Sequence, residues 1–441
     1  MDQHNIDVAL SDPGFFVDHD PHPLWKELRE NDPVHWTEGL GKPFWSVTRY
    51  DDIISVVSKP TLFSSAYLIG LPSSPEMEQV TPEMLGSGEM MLMTDPPLHG
   101  AMRRAFNRLM LPRAVGRFEA PGPQLVREIL EEAMARGECD FVVDVAARLP
   151  MAFICEIMGI PRKDWPDMFK WGNMVAGNED PEYQVDSGSP LDTRQEGSRN
   201  IGLYCLEAAL ERRGGDGQDL LSVLGNATIE GRLLTRTELA HNGLLYVGAG
   251  LETTRNAISA GLLALLEHPE QMALLLEHPE IMPTAVEEIL RWASPVTHFA
   301  RVATMDTELG GKQIRAGDRV ALWFPSANRD EAVFRDPYTF DLRRKPNDHV
   351  AFSRGEHFCA GAHLARLELR LTLQALLTRL RQIEITGKVE RLRSNFLAGI
   401  KHMRVRFSES QGCLKGWNIP AARMNPEVSA SWPIFNLEDS V

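Results

Sequence analysis

The chain has 441 residues, 43% hydrophobic and 24% charged, the balance of an ordinary soluble globular protein rather than a disordered one, with material for a large core. A formal net charge of −15 argues against sequence-independent attraction of the whole surface to nucleic acid or anionic lipid, though it is compatible with a local basic face. Five scattered cysteines without CxxC pairs fit reduced thiols, and MDQHNIDVALSDPGFF shows neither signal peptide nor membrane anchor, so a soluble cytoplasmic protein is expected.

Asp20 to Glu30 carries apolar residues at helical spacing, VHW and FWSVT alternate like strands, and DDIISVVSK reads again as helix. Ser64 to Met93 differs, being rich in Gly, Pro and Ser with Met77, Met84, Met90, Met91 and Met93; so long a loop is a plain surface excursion or a functional segment. TDPPLHGAMRRAFNRLM follows as a helix capped by Thr94 or Asp95, with His99 and Arg103 four apart on one face. From Pro123 to about Arg213 the pattern is mostly helical, broken by the polar, turn-rich VAGNEDPEYQVDSGSPLDT.

Thr235, Arg236, Thr237 and Glu238 form a capping box that opens a helix running to about Glu267, where His268-Pro269 ends it. At about 1.5 Å per residue it spans roughly 50 Å. Its middle, VGAGLETTRNA, holds Gly248 and Gly250, which cost helix stability and so call either for close packing or for room beside a flat ligand. PTAVEEILRWASP sets Glu288 and Arg291 on one helical face. LGGKQIRAGDRVALWF reads as hairpin segments with turns at Gly310-Gly311 and Ala316-Gly317-Asp318.

Cys359 then stands in AFSRGEHFCAG, where Gly355 and Gly361 relax the backbone, just before the helical AHLARLELRLTLQALL. Unpaired amide N–H groups and the positive end of a helix dipole favour thiolate over thiol, which makes Cys359 a candidate metal ligand; the plainer reading is a buried structural thiol.

Phe352, Gly355, His357, Cys359 and Gly361 match F-x-x-G-x-H/R-x-C-x-G, and on these residues the chain resembles the cytochrome P450 haem-thiolate monooxygenases. Three further motifs, between Pro21 and Phe407, agree: D-P-P-x-H-x-x-x-R at His99 and Arg103, A-G-x-D/E-T-T at Ala249, Gly250, Glu252, Thr253 and Thr254, and E-x-x-R at Glu288 and Arg291. The resemblance implies a mainly α fold with a small β portion, forming one haem-binding domain over residues 1–408. The extension 409–441 has apolar content that predicts docking onto it.

The resemblance also implies haem b with Cys359 as axial iron ligand and Phe352 beside the sulfur. His99, Arg103, Arg301 and His357 would take the propionates, with Ala249 and Gly250 against the haem. Thr253 and Glu252 would manage protons, Glu252 relaying them if it reaches solvent. Glu288 and Arg291 would be structural; Thr339 stands where the family has a further arginine, for which Arg329 and Arg343 are the substitutes considered.

Val247, Val296, Phe299, Phe396 and Leu397, the last two at the tip of a hairpin read over Ser394–Phe407, would line an apolar pocket under the methionine-rich lid. The implied reaction inserts one oxygen atom of O2 into an apolar molecule, a terpenoid, steroid, lipid or natural-product intermediate. Electrons would come from NAD(P)H through a reductase and a ferredoxin. Arg104, Arg108, Arg113, Arg343, Arg344 and Arg354 would form the basic face that meets that ferredoxin. A peroxygenase using H2O2 and a haem-thiolate sensor without turnover are the alternatives.

Overall fold

A computed structural model of the protein describes residues 3–186, 188–377 and 379–408. The extension from 409 onward, with its expected docking, lies outside the described residues. The helices that position the site are α1 (Leu98–Phe106), α2 (Arg148–Met158), α3 (Trp165–Ala176), α4 (Pro190–Glu211), α5 (Arg236–Glu267), α6 (Met282–Ala293) and α7 (Ala362–Leu376). Among the described residues no helix is long and apolar enough to cross a membrane.

The expected capping box starts α5: the Glu238 N–H donates to Thr235 Oγ1 at 3.1 Å and the Thr235 N–H to Glu238 Oε2 at 2.7 Å. Most of α5 is buried, so its apolar residues run around the whole helix rather than along one stripe. It packs against α2, α3, α4, α6 and α7. Small residues set these distances: a Cβ on Gly243 would lie 2.2 Å from Cys205 Cβ of α4.

A five-stranded sheet flanks the helices, in the order β1 (Val34–Thr37), β2 (Phe44–Val47), β5 (Arg319–Trp323), β4 (His298–Ala303), β3 (Phe63–Ser64). Only its β2–β5 pairing is parallel. Trp323 packs with Trp25 and Phe16 on one side, while Val320 and Leu322 enter the core built on Val34, Val47 and Phe63. In β4 the period of two places Phe299 and Arg301 on one face.

The stretch Ser394–Phe407 does not pair with itself as expected. Ile400–His402 pairs with Glu390–Arg391, whereas Arg404–Phe407 pairs with Ile383–Ile385 and Glu138–Asp140. Met403, fully buried between them, marks the change of sheet. The hairpin is thus Glu390–His402, with Phe396 and Leu397 in its connection.

Candidate active site

The cysteine loop is shaped by its first glycine. Gly355 has φ +71°, and a Cβ there would meet the Val57 carbonyl at 2.6 Å, so only glycine fits. Gly361 has an ordinary φ of −85°; its N–H instead donates to the Cys359 sulfur. The Cys359 N–H donates to the Phe352 carbonyl at 3.0 Å.

Burial pushes the Cys359 thiol up, and the Gly361 N–H, Arg103 and Arg366 oppose it without reversing it. The Gly361 N–H thus favours the thiolate, as expected of the turn, against the burial of the sulfur, and a cation bound there would favour it further. Behind the loop, Arg366 stacks on Phe352 at 4.6 Å and bonds Glu287 at 2.6 and 2.9 Å, and His349 meets the same carboxylate at 3.1 Å. Burial raises the Glu287 pKa, but these two partners outweigh it and hold the group down at about 2. Sequence reasoning missed all three residues, since nothing in the sequence separates Arg366 from Arg370 on the same helix, or Glu287 from its neighbour Glu288.

Above the loop, four cationic or N–H donors converge from three places: His99 and Arg103 from α1, Arg301 from β4 and His357 from the cysteine loop. His99 (α1) and His357 have ring centroids 4.1 Å apart. His99 Nδ1 and His357 Nε2 are buried with no hydrogen-bond partner, the former 3.5 Å from Glu356. Arg301 NH1 bonds only its own neighbour's carbonyl, that of Ala300, at 2.8 Å, and Arg103 bonds the Glu356 carbonyl at 3.2 Å. Burial, then Arg301, His99 and Arg103, push His357 down to about 2, and burial lowers Arg301 to about 10. Apart from the Glu356 carboxylate at His99, no ion pair reaches this set among the described residues, and it fits the paired carboxylates of the expected haem.

Beyond lies a cavity of about 1210 Å3. Val296, Phe299, Phe396 and Leu397 line it as expected, and so do Met77, Met84 and Met90, while Met91 and Met93 are buried. Val247 does not line it; it is fully buried in the helical core, and Leu244, Leu245 and Gly248 present the open face of α5 instead. His298 ties the walls together: its Nε2 accepts from the Leu71 N–H at 2.9 Å and its Nδ1 donates to the Asn395 carbonyl at 3.0 Å. A lone histidine in a strand gave no sequence signal of this role.

The two glycines of α5 have different reasons. A Cβ on Gly250 would sit 2.7 Å from Ile154 Cγ1, so Gly250 serves helix packing rather than room for a ligand, whereas Gly248 faces open space. Ala249 and Thr253 line the cavity, with Thr253 Oγ1 donating to the Ala249 carbonyl at 2.9 Å. Glu252 reaches no solvent: it is buried and paired with Arg255, whose other nitrogen bonds Asn173 at 2.9 Å. Burial raises its pKa, and Arg255 pulls it back.

Glu288 is completely buried and bonded to Arg291 at 2.7 and 2.8 Å and to Arg344 at 3.1 and 3.3 Å. The missing arginine is thus Arg344, neither Arg329 nor Arg343. Arg329 stacks on Trp292 at 4.5 Å and bonds its carbonyl, and Arg343 is exposed. Arg344 consequently leaves the expected basic face, in which Arg104, Arg108, Arg113 and Arg343 are exposed and Arg354 is half-buried.

A cytochrome P450 family model matches residues 207–402. The chain is 36% identical to linalool 8-monooxygenase of Pseudomonas putida over 400 residues, 90% of this chain and 98% of that protein. It is 39% identical to the methyl-branched lipid omega-hydroxylase of Mycobacterium tuberculosis over 373 residues, 83% and 85% of the two. A Mycobacterium marinum cytochrome P450 in complex with pseudoionone superposes with a TM-score of 0.83 at 34% identity, over 90% of this chain and 98% of that one.

Proposed function

The chain belongs to the cytochrome P450 family of haem b monooxygenases, and on that premise we propose that it hydroxylates an apolar molecule held in the cavity between α4, α5 and β4. The balance is R–H + O2 + 2 e− + 2 H+ → R–OH + H2O, with electrons from NAD(P)H through a reductase and a ferredoxin. Haem b on Cys359 supplies oxygen activation, thiolate donation favouring O–O cleavage. The observation that carries this reading is the cluster of His99, His357 and Arg301, with His99 Nδ1 and His357 Nε2 buried and unbonded, beside Cys359 and an apolar cavity.

The residues then divide the work. His99, Arg103, Arg301 and His357 would hold the propionates of the haem. Val296, Phe299, Phe396 and Leu397 exclude water and orient the substrate. Thr253 donates to Ala249 and keeps lone pairs free toward the cavity, so a water there gains an acceptor and, once the back-bond breaks, a donor. Glu252 lines the same cavity with its carboxylate held on Arg255; closed off from outside solvent, it takes a proton by way of cavity water, and because burial favours the neutral acid that proton weakens the pair and frees the carboxyl to turn toward Thr253. Linalool, methyl-branched lipids and pseudoionone, named with its relatives, support a terpenoid or branched-lipid substrate.

The test is Thr253→Ala in the haem-loaded enzyme. Haem content and substrate affinity should remain near wild type while product formation falls by roughly 10²-fold and NAD(P)H is diverted to peroxide. Unchanged product per NAD(P)H in Thr253→Ala and Glu252→Gln alike would remove both residues from the proton path.

A further inference from the structure

The charged groups that line the cavity are almost all answered. Glu78 is spanned by Arg319 at 2.7 and 2.8 Å, His241 meets Glu89 at 2.9 Å, Glu252 is paired with Arg255, and Glu179 accepts from the Ser73 hydroxyl. Lys42 and Arg199 are exposed. Arg194 is the exception among the described residues: it lines the cavity, is half-buried, and has neither hydrogen bond nor ion pair.

Arg194 projects from the first turns of α4, on the helical face that also brings Leu191, Ser198 and Gly202 to the cavity. Burial lowers its pKa and only Glu179 opposes this, yet a guanidinium remains charged throughout. Glu179 makes a poor counter-ion, because burial raises its own pKa and the Ser73 hydroxyl already occupies it. A sheltered guanidinium without an anion is costly, and its planar fork suits a carboxylate.

We propose that Arg194, with the Ser198 hydroxyl one turn further along the same face, seats the carboxylate of the substrate. The preferred substrate is then a long or branched aliphatic acid oxidised at the end remote from its carboxylate. This rests on the reading of the cavity as the monooxygenase substrate site. The remote end follows from placement. α4 meets α5 at Gly202 and Cys205, against Ala240 and Gly243; Arg194 lies about two turns back from there along α4, where Gly197 packs on Trp171 and Met174 of α3, and Thr253 about three turns onward along α5, so the two side chains are set apart along the cavity. A carboxylate on the first directs the hydrocarbon toward the second.

The experiment titrates the haem-loaded enzyme by calorimetry with isostearic acid, its methyl ester and isostearyl alcohol. The acid should bind roughly tenfold or more tightly than the other two. Arg194→Gln should erase that margin while leaving ester affinity in place, and Arg194→Lys should retain part of it. Equal affinities in the wild type, no binding of the acid, a margin that survives Arg194→Gln, or hydroxylation beside the carboxylate would each overturn the proposal. The carbon monoxide spectrum of the same reduced protein separates the two readings. Thiolate ligation with turnover of the ester and no margin removes the head-group site alone, whereas loss of the thiolate spectrum removes the monooxygenase reading beneath it.

Discussion

Glu288 illustrates how a single buried charge is kept. Its carboxylate has no access to water and relies on Arg291, Arg344, the Asp341 N–H and Asn347. Arg344→Ala leaves a carboxylate short of a cation in a dry interior and should cost about 3–5 kcal/mol. Arg343→Ala, at an exposed neighbour, should stay within about 0.5 kcal/mol. The urea midpoint for haem release measures both, and equal effects would refute the assignment. Neighbouring arginines are indistinguishable in sequence; here Leu342 and Arg344 point inward while Arg343 points out, and the Arg344 guanidinium also bonds the carbonyls of Arg335 and Thr339.

At the scale of the element, α5 combines a strong local signal with a tertiary one. Its cap and its end at His268-Pro269 lie where the sequence places them, because both depend on neighbours in the chain. The purpose of each glycine depends on what lies opposite. Gly250→Ala drives a methyl into Ile154, whose Cβ stands only 3.2 Å from the new atom. Overpacking of about 1–3 kcal/mol should exceed the gain of about 1 kcal/mol in helix propensity and destabilise the protein. Gly248→Ala meets open space, so it should stabilise by up to about 1 kcal/mol while narrowing the cavity. Denaturation midpoints moving in the same direction for both would contradict this division.

For the whole molecule, the net charge of −15 coexists with exposed Arg104, Arg108, Arg113 and Arg343 in the segments assigned to the ferredoxin-facing side. Reduction by an acidic ferredoxin should slow as ionic strength rises, and Arg104→Glu should lower its low-salt rate roughly tenfold. Rates indifferent to both would count against that face, to which buried Arg344 contributes nothing. The family, the cysteine loop and the long capped helix were readable from the chain alone, because each rests on a contiguous pattern of a few residues. Four features were settled only by packing: the burial of the Glu252–Arg255 pair against Asn173, the choice of Arg344, the loss of Val247 to the core, and the unanswered charge on Arg194. Each depends on which distant side chain arrives opposite, and helical or strand periodicity names a face without naming what will meet it.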